Sequence, residues 1–289
     1  MAQLPVPHPL GQPALRAACF FAFLYIGWML FAGWIHPSAD WLAGTGGSPG
    51  ALLFYYLCLD GLALGLSAAF LSGLDGRRFA ALGFWFFPRW WRQAAAGTAV
   101  GAATISLVAL VVARGSGSPL FSASPHPGRL AALITFFFLA ATFEELMFRG
   151  YAWQRLADSL GAVSATLISS LLFGLAHAAN PYATLLSVGN TMLAGGLMCV
   201  ARARSRALWM PLGLHFGWNV FLGVVFQSPV SGLPLSSSPA HLASSAPDWL
   251  AGGRYGLEGS VVLTLAAAVA ILALAKCPRN LLFPFDFQE

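Results

Sequence analysis

Charge is what this chain has least of. Its 289 residues carry 10 acidic and 15 basic side chains, 9% in all, where a soluble domain carries about 25%. With 58% hydrophobic residues and a mean hydropathy of +0.72, the composition excludes an ordinary soluble fold and points to a polytopic membrane protein. Cysteine is sparse as well. Cys19, Cys58, Cys199 and Cys277 form no CxxC or Cys/His cluster, so no disulfide framework or thiol chemistry follows, and they read as small buried hydrophobes. There is no HExxH, GxSxG, GxGxxG or P-loop sequence, which removes the zincin helix, the serine-hydrolase elbow and the nucleotide cradles. No internal repeat is visible, and so none of the inverted symmetry of many transporters. Lysine is nearly absent, and the arginines fall between apolar runs. They read as topology signals rather than as a nucleic-acid footprint, so no nucleic-acid partner is expected.

What is abundant is apolar sequence of membrane length. Runs near 17–35, 51–72, 93–113, 129–149, 163–180, 183–201, 207–226 and 257–275 each approach the ~20 residues that cross the hydrocarbon. The expected fold is all-α: a polytopic membrane helical bundle of about eight transmembrane helices in the lipid bilayer. Residues 1–128 hold three spans, 129–226 a core, and 227–289 an external loop with the final span. Asn180-Pro181 separates the fifth and sixth spans, because proline disfavours helix at the residue before it. Alternate loops are basic: Arg77, Arg78, Arg89 and Arg92, then Arg149 and Arg155, then Arg202, Arg204 and Arg206. The positive-inside rule therefore puts both termini in the cytoplasm, in what composition suggests is a bacterial inner membrane. The run Ala17 to Ile35 is too long for a signal-peptide core and is expected to be retained. The closing Asp286-Phe287-Gln288-Glu289 has no prenylation cysteine.

Within this apolar background Glu144 and Glu145 stand side by side in the fourth run. A carboxylate at a bilayer centre costs at least ~2.5–3.5 kcal/mol, so two adjacent ones need partners or a task. Glu145 and Arg149 are i,i+4 and share a helix face, which suggests a structural ion pair. Glu144, rotated by about 100°, is left for chemistry, and an apolar cavity suits it to act as a general base. FGLAH puts Phe173 and His177 on one face, and HFGWN does the same for His215 and Asn219. A helical hairpin closing near Gly161 pairs residues whose numbers sum to about 321, so Glu144 and His177 should lie level, each about 20 Å from the turn. His215 lies about 16 Å from the basic loop around Arg204. A single polar layer follows, in a cavity expected to open toward the cytoplasm.

No serine lies convincingly beside a base–acid pair, which leaves water as the nucleophile. A carboxylate, a histidine or a metal between them could activate it. Glu144, His177 and His215 are acceptable zinc ligands, and the residues do not decide whether zinc or no cofactor is used. Other readings use the same layer. One is a transporter or a proton- or ion-relay protein, helped by a further acid, Asp60, in the second span. Another is a catalytically idle immunity protein or scaffold of the same fold.

EExxxR at Glu144–Arg149, FxxxH at Phe173–His177 followed by Asn180-Pro181, and LWxPxxxHxxxN from Leu208 through Pro211 and His215 to Asn219 together resemble the CPBP family. That family comprises CAAX prenyl endopeptidases and bacteriocin-processing proteins. The likeness covers roughly residues 130–225, and three motifs in order at these spacings are far more specific than any one. The resemblance implies an all-helical intramembrane endopeptidase that cuts a membrane-associated protein or peptide near its C-terminus. It implies that Glu144 and His177 activate water, that His215 with Asn219 stabilises the oxyanion, and that Glu145 and Arg149 support the site. Members have been called metalloproteases, and the resemblance favours the metal-free, glutamate-dependent form.

Overall fold

The computed structural model describes residues 12–31, 48–116, 127–234 and 246–278. Expectations about 1–11, 32–47, 117–126, 235–245 and 279–289, including the closing tetrapeptide, lie outside the described residues. The helices are α1 (Pro13–Phe31), α2 (Pro49–Ala69), α3 (Trp90–Ser116), α4 (Pro127–Arg149), α5 (Tyr151–Ala176), α6 (Leu185–Ser205), α7 (Trp209–Val220), a single-turn α8 (Asp248–Ala251) and α9 (Val261–Lys276). α2 and α7 continue through π-helical turns at Phe70–Leu74 and Phe221–Val225. Among the described residues the only β pairing is an isolated bridge between Val230 and Leu233. The protein is an all-α helical membrane bundle.

A helix stands at each of the eight expected spans, but they are not equal. Among the described residues five stretches are long and apolar enough to cross a membrane, and the fourth of these, Pro127–Ala176, holds both α4 and α5. α7 and α9 are shorter. α7 is buried along almost its whole length, so it is enclosed by protein and need not match the lipid thickness.

Local chemistry explains the breaks. α6 starts at a capping box, in which the Thr184 hydroxyl accepts from the Ser187 backbone N–H and the Ser187 hydroxyl accepts from that of Thr184. The Ser260 hydroxyl caps α9 by accepting from Leu263 N–H at 3.1 Å. The expected single turn at Gly161 is instead two breaks. Gly150 has φ −76° and ψ −126°, and Gly161 has φ +82° and ψ 158°, the latter a conformation glycine adopts without Cβ strain. Residues 151–160 form a separate helical segment between them. α4 and the rest of α5 still run antiparallel, with Ser169 donating to Phe148 O at 2.7 Å.

The closest packing in the bundle is between α3 and α7, with small residues on both. A Cβ at Gly97 or Gly101 would overlap Met210 O or Leu214 O, and one at Gly213 or Gly217 would overlap Ala94 O or Thr98 O. This is a reciprocal pair of GxxxG faces, which let two backbones touch.

Arginines gather at one end. Buried Asp75, just past α2, pairs with Arg16 of α1 and Arg155 of α5. Arg155 also reaches Asp158 at 2.9 Å, and Arg204 donates to Cys277 O beyond α9.

Gly213→Val should separate α3 from α7, since overpacking costs about 1–3 kcal/mol or more where backbone cannot give way. A lower unfolding temperature in detergent is the expected result. Gly189→Ala, where nothing lies within 4 Å of the new Cβ, should leave that temperature unchanged.

Candidate active site

Helical phase on α4 divides the two acids as the spacing requires. Glu145 points into the wall with its side chain 2% exposed, while Glu144 reaches the cavity at 24%. Glu145 Oε1 accepts from Arg149 Nη1 at 3.2 Å. The guanidinium also donates to Gly195 O at 3.0 Å and lies 4.3 Å from the Phe173 ring centroid. Its charge is therefore met by a carboxylate, a carbonyl and a π face, which is what burial demands.

The ion pair is not the whole of Glu145's part. The same Oε1 accepts from His215 Nδ1 at 2.9 Å, so Glu145 orients the imidazole of α7 and leaves Nε2 turned toward Glu144. This contact adds to the expected Glu145–Arg149 ion pair. Residue spacing on α4 could not reveal it, because the partner comes from another helix. His177, at the end of α5, makes a matching bond. Its Nδ1 lies 2.8 Å from Phe173 O, and since a carbonyl only accepts, Nδ1 carries the proton and Nε2 is free.

Glu144 Oε2 then lies 3.8 Å from His177 Nε2 and 3.7 Å from His215 Nε2. These distances leave each pair room for a shared water. Glu144 Oε2 is buried, and neither imidazole lies within direct hydrogen-bond distance of it. Asn219, one turn beyond His215, lines the same cavity of about 500 Å³. The four candidate residues are thus brought together. Glu144, His177 and His215 converge as the zinc reading requires, yet among the described residues no three His, Cys, Asp or Glu side chains are disposed to hold a metal ion.

Asp60 is not part of this site. It is buried mid-way along α2 rather than at a helix end, its Oδ1 has no hydrogen-bond partner among the described residues, and it does not line the cavity.

The cavity draws its wall from several elements. The lining comes from Tyr25 and Trp28 late in α1, Tyr56 and Leu59 early in α2, Phe136 to Phe148 of α4, the end of α5, and the turns at 179–180 and 230–233. On α1 and α5 these residues lie remote from Arg16 and Arg155, whereas on α4 they lie mostly in the half that ends at Arg149. Depth arithmetic places residues at a level but does not say on which side of it the space lies.

Sequence reasoning missed a second polar cluster. Glu258 accepts from Trp218 Nε1 at 2.9 Å and from the Ser231 backbone N–H. Asn190 donates to Glu258 O and Ser260 O, each at 2.8 Å, and Asn180 donates to Ser231 O at 3.0 Å. The cost argument that singled out Glu144 applies equally to Glu258 at the head of the last apolar run, and to Asn190 inside the sixth.

Residues 126–221 match the family model described as Rce1-like, type II CAAX prenyl endopeptidase Rce1-like. An Escherichia coli protein described as an uncharacterized 24.3 kDa protein is 37% identical over 116 residues, which cover 37% of this chain and 49% of that protein. The chain thus spans about half the length of this relative. No solved structure matches. All three motifs and the four side chains that meet at the cavity lie inside the matched segment, and this match over residues 126–221 supports membership of the CPBP family.

Proposed function

We propose that the protein is an intramembrane endopeptidase that hydrolyses a peptide bond of a membrane-associated polypeptide, near its C-terminus as the family description suggests. The observation that carries this reading is Glu144 Oε2 held within 3.8 Å of two imidazole Nε2 atoms, at a cavity otherwise lined mostly by aromatic and aliphatic side chains. A water shared by Glu144 and His177 attacks the scissile carbonyl and gives its proton to Glu144. The oxyanion is met by His215 Nε2 and the Asn219 amide. A protonated His215 would be compensated by Glu145, which already accepts from its Nδ1. As the C–N bond breaks, Glu144 returns its proton to the leaving amine, so one water is consumed per bond cut. Among the described residues the lining holds no lysine or arginine.

Glu144→Gln should abolish cleavage with yield and fold intact, because volume is kept and the base is lost. Mass-spectrometric mapping of membrane-protein termini, with wild-type and Glu144→Gln protein, is the check. An unchanged set of termini would overturn the proposal.

Asn219→Ala should lower kcat more than it changes KM, by about 10²–10³-fold, the usual effect of losing one oxyanion donor. Steady-state kinetics on a substrate found by that mapping would measure it.

Arg149→Ala should behave differently, reducing folded yield, since breaking a buried pair costs about 3–5 kcal/mol. Size-exclusion profiles of the two variants would separate a supporting residue from a reacting one.

A further inference from the structure

We infer that Glu258, which lies outside the segment matched by the family model, is a positioning residue of the active site. Its carboxylate fixes the turn of α7 that carries Asn219 together with the cavity-wall turn at Ser231. Its part in catalysis rests on the proteolytic reading above; its hold on α7 does not.

The first observation is where the carboxylate points. Glu258 is buried in the 3₁₀ turn Leu257–Gly259 that leads into α9. The structure at that helix start uses only its backbone: Asn190 of α6 donates to Glu258 O, and the Ser260 hydroxyl caps α9. The side chain reaches away from α9. Oε1 accepts from Trp218 Nε1 of α7 at 2.9 Å, and Oε2 accepts from the Ser231 N–H, with Ser231 Oγ at 3.4 Å. These donors are neutral, and among the described residues Glu258 has no salt-bridge partner. A buried carboxylate without a cation costs the fold more than an apolar side chain would, so stability alone does not account for an acid here.

The second observation is what it holds on α7. Trp218 is fully enclosed and immediately precedes Asn219, in the last turn before α7 gives way to the π-helical turn Phe221–Val225. A π turn breaks the regular helical phase, so the helix beyond Val220 does not by itself fix how Asn219 is rotated into the cavity. The Trp218–Glu258 bond anchors that turn from the side.

The third is strain in the wall. Ser231 has φ +50°, a left-handed conformation that a non-glycine residue keeps only when its surroundings impose it. Glu258 holds its N–H, Asn180 holds its O at 3.0 Å, and the next residue, Gly232, donates to Tyr255 O at 3.1 Å. Ser231 and Asn219 line the same cavity. One carboxylate thus ties two walls of the site to the start of α9.

The test pairs a labelling measurement, which needs no substrate, with kinetics. In the full chain, with its four native cysteines replaced by serine, single cysteines are introduced as Asn219→Cys and, on the α4 wall of the cavity, Met147→Cys. Each is combined with Glu258→Gln, which keeps volume but leaves one oxygen for two donors, or with Trp218→Phe, which removes the indole N–H. Purified monodisperse protein is then reacted with a small methanethiosulfonate. Both substitutions should change the labelling rate of Asn219→Cys several-fold and leave that of Met147→Cys unchanged. An unchanged rate at position 219 would overturn the proposal, as would an equal change at both cysteines, which is what general loosening gives. On a substrate found by mapping termini, Glu258→Gln should lower kcat by about 10²-fold, the effect of displacing a reacting group by about an ångström, with KM little changed. Added to Asn219→Ala it should lower kcat little further, because both act on one donor; effects that multiply would overturn the link to Asn219. Should Glu258→Gln fail to fold, Trp218→Phe carries both measurements. Altered labelling with no Glu144-dependent termini would leave the hold on α7 standing and remove the protease.

Discussion

The carboxylate of Glu145 has almost no contact with water, and the architecture around it follows from that. A buried charge is tolerated only when paired and hydrogen-bonded. Glu145 meets the condition by accepting from Arg149 on its own helix and from His215 on α7. Arg149 in turn needs Gly195 O and the face of Phe173, and a side chain at Gly195 would crowd its guanidinium at 3.1 Å. One desolvated carboxylate thus ties together α4, α5, α6 and α7. The neighbouring Glu144 is left pointing into the cavity, where it can act.

That arrangement depends on how close α7 can come. The glycine faces of α3 and α7 bring their backbones into contact, which a bilayer cannot drive through the hydrophobic effect, since lipid is as apolar as leucine. Dispersion and complementary shape have to do it. A helix too short and too enclosed to be a free-standing span can therefore be held with His215 and Asn219 at one depth. The Glu258 cluster acts from the other side. It bonds Trp218, the neighbour of Asn219, and the turn that walls the cavity. The turns at 179–180 and 230–233 complete the cavity wall.

Much of this was legible in the residues. Membrane composition, eight apolar runs, and the level pairing of Glu144 with His177 came from periodicity and rise per residue. The three motifs then named the family. The i,i+4 rule found the Glu145–Arg149 pair but gave half of its meaning, because the rule looks along one helix. The Gly161 hairpin was right in its arithmetic and wrong in its path. Gly150 and Gly161 break on the same side of the paired residues, so inserting a ten-residue segment between them did not shift the register. Glu258 and Asn190 were overlooked although the same burial cost marks them.

Sequence alone determined the elements, their depth and their chemistry, since these rest on local properties: apolar length, helical spacing, and the cost of charge in lipid. Tertiary structure decided what depends on several helices at once. It chose His215 as the second partner of Glu145, kept Asp60 out of the cavity lining, and formed the void between α1, α2, α4, α5 and α7. The physical reason is that one helix presents a polar group at a given height, whereas a cavity is the space that several packed helices fail to fill.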